Sequence, residues 1–317
     1  MKRIQIAETD LDLCPIGLGT VNAGLAWDQE DAFRIFETYL EAGGNLIDTA
    51  HVYSDWIPGE TARSERVIGD WIRNRKKRDD FILMTKGGHP RNETMHITRL
   101  SREEMTGDLD SSLRQLGVDY VDIYFYHRDD VNRSVEELIE TMEDFRKAGK
   151  IRYYACSNWT TERMRAADAY CEKKGYRGFV ANQSMYNMGV RYMKPFSDPT
   201  MVVCDTEMLQ YHRESKNLLM PYMGVCSGFF HKLKANGLKA VQDSCYNTEP
   251  NLRMANKIYK LCEKSGFTIT QVLLGFFGIH DFDILPLASA SSQKQRLELN
   301  QALAAEFDAK DYEFLEQ

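Results

Sequence analysis

Long apolar runs are missing from this 317-residue chain. The longest uncharged stretch, Ser265 to His280, carries Thr, Gln and Gly and falls short of the roughly 20 apolar residues that cross a bilayer. Cysteine is sparse and unpatterned: positions 14, 156, 171, 204, 226, 245 and 262 make an odd set with no Cys-x-x-Cys pair. That excludes a zinc knuckle and a disulfide framework and points to a reducing, cytoplasmic compartment. The start, Met-Lys-Arg-Ile-Gln-Ile, lacks the apolar core of a signal peptide. Proline (8) and glycine (21) are too few for a collagen-like or low-complexity chain. Positive charge is also short, with a net charge of −7, and the one basic cluster, Arg73 to Arg78, is followed by Asp79 and Asp80. Nucleic acid is therefore not an expected partner.

What is present is a regular alternation of short β-branched apolar runs and longer amphipathic ones. Strand-like runs occur at Pro15–Gly19, Asn45–Asp48, Phe81–Lys86, Val121–His127, Tyr153–Ser157, Phe179–Gln183, Leu218–Tyr222 and Ile284–Ala288. Helix starts lie between them. Ser101-Arg-Glu-Glu104 and Ser134-Val-Glu-Glu137 read as capping boxes, each opening a stripe of period 3.6: Met105, Leu109, Leu113 and Leu116 in one, Leu138, Met142 and Phe145 in the other. A further helix follows Asp28 and stops at Gly43-Gly44. Eight strand–helix units behind an N-terminal β-hairpin (Arg3–Ile6 with Leu11–Leu13) predict an α/β fold, a (β/α)8 TIM barrel, as a single domain over residues 1–317. An open doubly wound sheet would need Gly-x-Gly-x-x-Gly after a strand, and Gly17-Leu-Gly19 has no third glycine in register. The long interval from Tyr222 to Ala288 holds two helical runs, Leu252–Ser265 and Thr270–Ile279, and a polar segment, Lys234–Pro250, expected to be a loop over the barrel mouth.

In such a barrel the chemistry sits where the strands end. Strand two ends in Asp48 with Tyr53 close behind, strand three in Lys86, and strand four in His127. Burying each alone would cost several kcal/mol, so together they read as a proton-transfer device. An ammonium beside a phenol stabilises the phenolate and lowers its pKa, a carboxylate keeps that ammonium charged, and an imidazole can orient a carbonyl oxygen. The alternative, a Schiff-base lysine as in barrel aldolases, is disfavoured because Asp48 would hold Lys86 protonated.

Ile47-Asp-Thr-Ala-His-Val-Tyr53 followed by Ser64-Glu-Arg-Val-Ile-Gly69 resembles the aldo-keto reductase pattern. Met84-Thr-Lys86, Tyr120 to His127, Gly149-Lys-Ile-Arg152 and Ser157-Asn-Trp159 resemble later motifs of that family in the same order. The resemblance implies Tyr53 as general acid, Lys86 and Asp48 as the pair that tunes it, and His127 as the group orienting substrate. It further implies a nicotinamide dinucleotide bound without a Rossmann domain. Ser157, Asn158 and Gln183 would hold its carboxamide, Tyr222 would stack on the ring, and the run from Tyr222 through Gly228 to Lys232 would cover the pyrophosphate. Ser291, Ser292, Arg296 and Asn300 would meet the adenosine end, where a cation near a helix start favours NADP(H), with NAD(H) the lesser choice. The implied activity is reduction of aldehydes or ketones to alcohols. The alternative is a nicotinamide-nucleotide-binding sensor with little turnover, as in relatives that regulate channels.

His51 and Trp56 flank Tyr53 and, with Trp159 and Tyr186, are the candidates for contact with a small-molecule carbonyl substrate. Arg128-Asp129-Asp130 reads as a solvated turn, and Cys156 and Cys226 as small buried hydrophobes. His89, His96 and Glu93 match no metal-ligand spacing, so no metal is expected. Oligomeric state is left open.

Overall fold

The computed structural model describes residues 2–196, 198–290 and 292–315. Strands β1 (Ile4–Gln5) and β2 (Asp12–Leu13) form the expected antiparallel hairpin, pairing Ile4 with Leu13. The apolar runs then give β3 (Gly17–Gly19), β4 (Leu46–Asp48), β5 (Ile82–Gly87) and β6 (Val121–Tyr126). They continue with β7 (Ile151–Ser157), β8 (Ala181–Gln183), β9 (Leu218–Leu219) and β10 (Leu287–Ala288). From β3 to β9 each strand pairs in parallel with the next along the chain, and β10 pairs with β3. Closure is completed by the Leu285 N–H donating to the Leu219 carbonyl at 2.9 Å and the Leu287 N–H to that of Pro221 at 2.7 Å. The result is the (β/α)8 barrel, with the hairpin across its N-terminal end.

Helices connect the strands where their caps lie. The first, α1 (Gln29–Glu41), starts at Asp28, whose carboxylate accepts from the Asp31 N–H. It is followed by α2 (Arg63–Arg75), α3 (Arg102–Leu116), α4 (Val135–Lys147) and α5 (Thr161–Lys174). Ser101 and Glu104 close a full capping box on α3. The second expected box is half made: the Ser134 hydroxyl accepts from the Glu137 N–H, but the Glu137 carboxylate is taken by Arg133. Further along come α6 (Thr206–Glu214), α7 (Phe229–Asn236), α8 (Glu249–Ser265), α9 (Ile269–Gly275) and α10 (Gln293–Ala304). The segment expected to be a loop from Lys234 instead begins inside α7 and continues through a 3-10 turn at Leu238–Val241. Phe229, Phe230 and Val241 are buried there, an apolar anchor that the polar composition of the segment masks.

The strand register decides which side chains meet. Asp48 pairs with Met84, two residues before Lys86; Lys86 pairs with Phe125, two before His127. Continuing round, Ser157 pairs with Gln183, and Met185 bridges to Tyr222. Side chains alternate faces with a period of 2, so all six residues share one face, the barrel interior. A slip of one residue in any pair would turn the rest outward. Among the described residues no helix is long and apolar enough to cross a membrane.

Candidate active site

At the C-terminal ends of the strands, Lys86 is the hub. Its Nζ, nearly inaccessible to solvent, donates to Asp48 Oδ2 at 2.8 Å, to the Thr49 carbonyl at 2.8 Å and to the Tyr53 hydroxyl at 3.3 Å. An ammonium has three N–H groups, and this arrangement assigns one to each acceptor. Burial alone would push the Lys86 pKa down; the Asp48 carboxylate and Tyr53 overcome it and hold it above the ordinary lysine value. Asp48 is fixed in turn, because Gln183 Nε2 donates to its Oδ1 at 2.9 Å. The four-part expectation therefore gains a member: Gln183 bolts the carboxylate that bolts the lysine. The resemblance gave Gln183 a place at the cofactor; its contact with Asp48 follows from the register that puts both on the interior face.

The phenol differs from expectation in direction. Burial of the Tyr53 hydroxyl raises its pKa more than the Lys86 charge lowers it, so the group sits above the ordinary tyrosine value. Tyr53 is thus held in its protonated form. The nearby ammonium acts by favouring the phenolate as it forms.

His127 is buried one residue beyond β6, and its backbone N–H donates to the Gly87 carbonyl at 2.9 Å. Burial first, then the cations and imidazoles around it, depress its pKa far below the usual histidine range, so the ring is neutral. Its centroid lies 6.1 Å from the Tyr53 ring and 4.8 Å from that of His89. Its buried Nδ1 has no hydrogen-bond partner among the described residues.

These groups open onto one cavity of about 520 Å³, a size that suits a ligand site. Ser157, Asn158, Gln183, Tyr222 and Gly228 all line it, as does Arg128. The Tyr222 hydroxyl donates to Asn158 Oδ1 at 2.6 Å, and the Ser157 hydroxyl donates to the Gln183 carbonyl at 2.9 Å. Asn158 holds this position with a positive φ of 60°, a conformation that asparagine tolerates better than most residues. Toward the other end the cavity reaches Ser227, Lys232, Ser289, Gln295 and Leu299. Helix α7 begins there at Gly228 with no side-chain cap, leaving its first N–H groups beside Lys232, a donor set that suits a phosphate group. The residues present thus fit a long, anionic dinucleotide.

Several expectations fall elsewhere. Trp159 is fully buried between Tyr126 and Phe179, 6.0 and 4.9 Å centroid to centroid, and its indole N–H donates to the Arg128 carbonyl, so it is core and not cavity wall. Tyr186 likewise points away, its hydroxyl 3.0 Å from His280 Nε2. Trp56 is half exposed on the loop after Tyr53, outside the cavity lining. His51 faces a neighbouring recess, with Glu65 at 3.8 Å and Asp108 at 3.7 Å. Ser291 lies outside the described residues. Ser292 is the N-cap of α10, accepting from the Gln295 N–H. Arg296 sits 3.6 Å from Asp31, and Asn300 donates to the Thr38 carbonyl of α1, so helical phase turns both toward α1 while Gln295 and Leu299 face the cavity. Arg128-Asp129-Asp130 is no solvated turn: Arg128 and Asp130 are buried, and Asp129 pairs with Arg163 at 2.9 Å. Thr20, Val21 and Asn22, which follow β3, also line the cavity; the strand-end rule applied to β3 would have found them.

A closed barrel with an acid-form phenol held against an ion-paired lysine, beside a cavity for a dinucleotide, defines a carbonyl-reducing oxidoreductase. The profile described as the Aldo/keto reductase family matches residues 15–317, and the chain belongs to that family, whose members use a nicotinamide cofactor. A protein of Saccharomyces cerevisiae provisionally named aryl-alcohol dehydrogenase AAD14 is 23% identical, over 99% of this chain and 85% of its own length. Norsolorinic acid reductase B of Dothistroma septosporum is 27% identical over 86% of this chain and 70% of its own. Aryl-alcohol dehydrogenase [NADP(+)] of Phanerodontia chrysosporium is 30% identical over 58% of this chain and 51% of its own.

Proposed function

We propose that this protein reduces aldehydes or ketones, aryl carbonyl compounds among them, to alcohols with NADPH, and that Tyr53 supplies the proton. The observation that carries the reading is the Tyr53 hydroxyl at 3.3 Å from a lysine ammonium that is itself bound to Asp48 at 2.8 Å, at the wall of a cavity fit for a dinucleotide. A reduced nicotinamide, when bound, supplies the hydride.

The chain's own part is position and field. Ser157, Asn158, Gln183 and Tyr222 would hold the nicotinamide end; Ser227, Gly228, Lys232 and the start of α7 would hold the pyrophosphate. The neutral His127 has one N–H with which to orient a carbonyl oxygen toward Tyr53. As the Tyr53 proton moves to that oxygen, negative charge grows on the phenol beside Lys86 Nζ, which favours the charged product at no cost in reorganisation. Met201, Met223 and Val225 give the cavity an apolar share that suits an aryl group, in keeping with the names of the relatives. Preference for NADPH is supported by the cofactor in one relative's name.

The test is NADPH oxidation with a panel of aryl and aliphatic aldehydes, wild type against Tyr53→Phe. Turnover should fall at least about 100-fold while NADPH binding, followed by fluorescence, stays the same. Turnover within a few-fold of wild type would remove Tyr53 as the acid. NADPH binding with no turnover of any carbonyl would make the chain a nucleotide sensor. Titration of NADH beside NADPH reads the cofactor preference.

A further inference from the structure

Arg128 is the strongest group at the cavity that proton transfer leaves unused. It is about nine-tenths buried, it follows His127 directly, and it lines the cavity at the Tyr53 end. Three of its N–H groups are committed: Nε donates to Thr200 Oγ1 at 2.8 Å, Nη1 to the His127 carbonyl at 2.9 Å, and Nη2 to Asp198 Oδ2 at 3.2 Å. A guanidinium carries five, so two have no partner among the described residues. Desolvating a guanidinium is expensive, and a core that needed only packing would have used an apolar side chain here.

The charges around it point the same way. Of the charged side chains that line the cavity, Lys86, Arg128 and Lys232 are cations and Asp48 alone is a carboxylate. Asp48 is consumed by Lys86 and Gln183. Asp198, the single carboxylate paired with Arg128, is not part of the lining and is shared with the Thr200 hydroxyl at 2.6 Å and the Thr200 N–H at 2.9 Å. The cavity wall next to His127 and Tyr53 therefore presents a fixed planar cation with donors to spare. Its backbone is fixed as well, through the Trp159 indole on its carbonyl.

We infer that Arg128 is a substrate-binding residue that selects carbonyl compounds bearing a carboxylate or another anionic group beside the reacting aldehyde or ketone. A carboxylate takes the two unused N–H groups as a fork, a geometry that lysine cannot supply. Lys86 cannot do this, because all three of its N–H groups are used. The inference rests on the carbonyl reduction proposed above and names the substrate class of that same site.

The experiment compares 4-carboxybenzaldehyde with 4-carbamoylbenzaldehyde, nearly the same in shape and differing in charge, as substrates of the full-length protein with NADPH. Wild type should favour the carboxylate in kcat/KM by about tenfold or more, with the advantage falling as salt is added. In Arg128→Gln the ratio of the two substrates should collapse toward one; in Arg128→Lys it should be partly kept. The ratio cancels losses common to both substrates, such as a shifted Asp198–Thr200 segment. Binding of terephthalate monoamide against terephthalamide, measured by calorimetry, reads the same preference without turnover. If neither aldehyde is reduced yet the monoamide binds tighter in wild type and not in Arg128→Gln, the anion site stands and the reductase reading fails. If both are reduced with no preference for the charged one, or with a preference that Arg128→Gln leaves intact, the anion site is overturned.

Discussion

Lys86→Met isolates what the buried ion pair contributes. The variant keeps the length of the side chain and removes the ammonium, so the Asp48 carboxylate, 2% exposed, loses its counter-charge and keeps only the Gln183 amide at 2.9 Å. Breaking a buried pair by deleting one partner costs about 3–5 kcal/mol, because the remaining charge has been desolvated without compensation. For a chain of this size about 2 °C of melting temperature goes with each kcal/mol, so Tm should fall by roughly 6–10 °C. Removing the stranded charge should reverse most of this: Lys86→Met combined with Asp48→Asn should melt above Lys86→Met alone, by at least half of the loss. Thermal unfolding followed by circular dichroism reads all of these.

Activity should follow a different order from stability. Both the single and the double variant lack the ammonium 3.3 Å from the phenol, so both should lose reduction by about 100- to 1000-fold, the scale of one preorganised donor facing developing charge. Asp48→Asn alone keeps the Lys86 amine beside the phenol but removes the carboxylate that holds it charged, so it should also lose reduction, though less than either. A Lys86→Met protein that melts within 1–2 °C of wild type, or a double variant that regains turnover together with stability, would refute the reasoning.

Three further outcomes follow from the same coordinates. With Tyr53 as the proposed proton donor, burial holds its pKa above the ordinary value of 10.0, so kcat/KM for reduction should be flat through neutral pH and fall only as pH rises through that raised pKa; a fall centred near neutral pH would point to another proton donor. His212 Nδ1 faces the Asn217 carbonyl at 2.8 Å and so carries the ring proton, while Nε2 accepts from Asn182, and burial lowers its pKa to about 4 from the ordinary 6.5. The unfolded chain binds that proton first, so this group's stability contribution is full above about 6.5 and is lost as pH falls toward 4, by up to about 1.4 kcal/mol per pH unit; His212→Gln should flatten that part of the stability–pH curve measured by urea unfolding. Gly69 lets α2 lie against the end of α3, where an added Cβ would stand 2.1 Å from the Gln115 carbonyl oxygen; Gly69→Ala should cost about 1–3 kcal/mol in urea unfolding, and an unchanged midpoint would deny the close approach.

The barrel and the polar residues at its mouth were legible because they depend on local rules. Each of the eight strands lies in or overlaps a short apolar run, and a polar residue that ends such a run in a barrel is at the mouth by position alone. Asp48, Lys86 and His127 stand at such ends, and the structure brings them together for that reason. The Gly69 of the Ser-Glu-x-x-Ile-Gly segment was equally visible, though only the helix contact explains why a glycine is there.

What stayed hidden depends on pairing across distance. Arg128 and its two aspartates have the composition of an exposed turn, and their partners lie elsewhere in the chain: Asp198 and Thr200 for Arg128, Arg163 for Asp129 and Thr98 for Asp130. Arg296 and Asn300 sit in the segment expected to meet adenosine, but which face of α10 meets the cavity is set by the way Leu299, Ala302 and Leu303 bury, and that rotates Asn300 onto α1. The direction of the Tyr53 shift was missed for the same reason. The sequence names the ammonium that lowers the pKa, while the burial that raises it is a property of the folded wall, and here the wall wins. In the proposed reaction a phenol held above its ordinary pKa stays protonated through neutral pH but is the weaker acid for it, so more of the proton transfer must be carried by the lysine ammonium that stabilises the phenolate as charge forms.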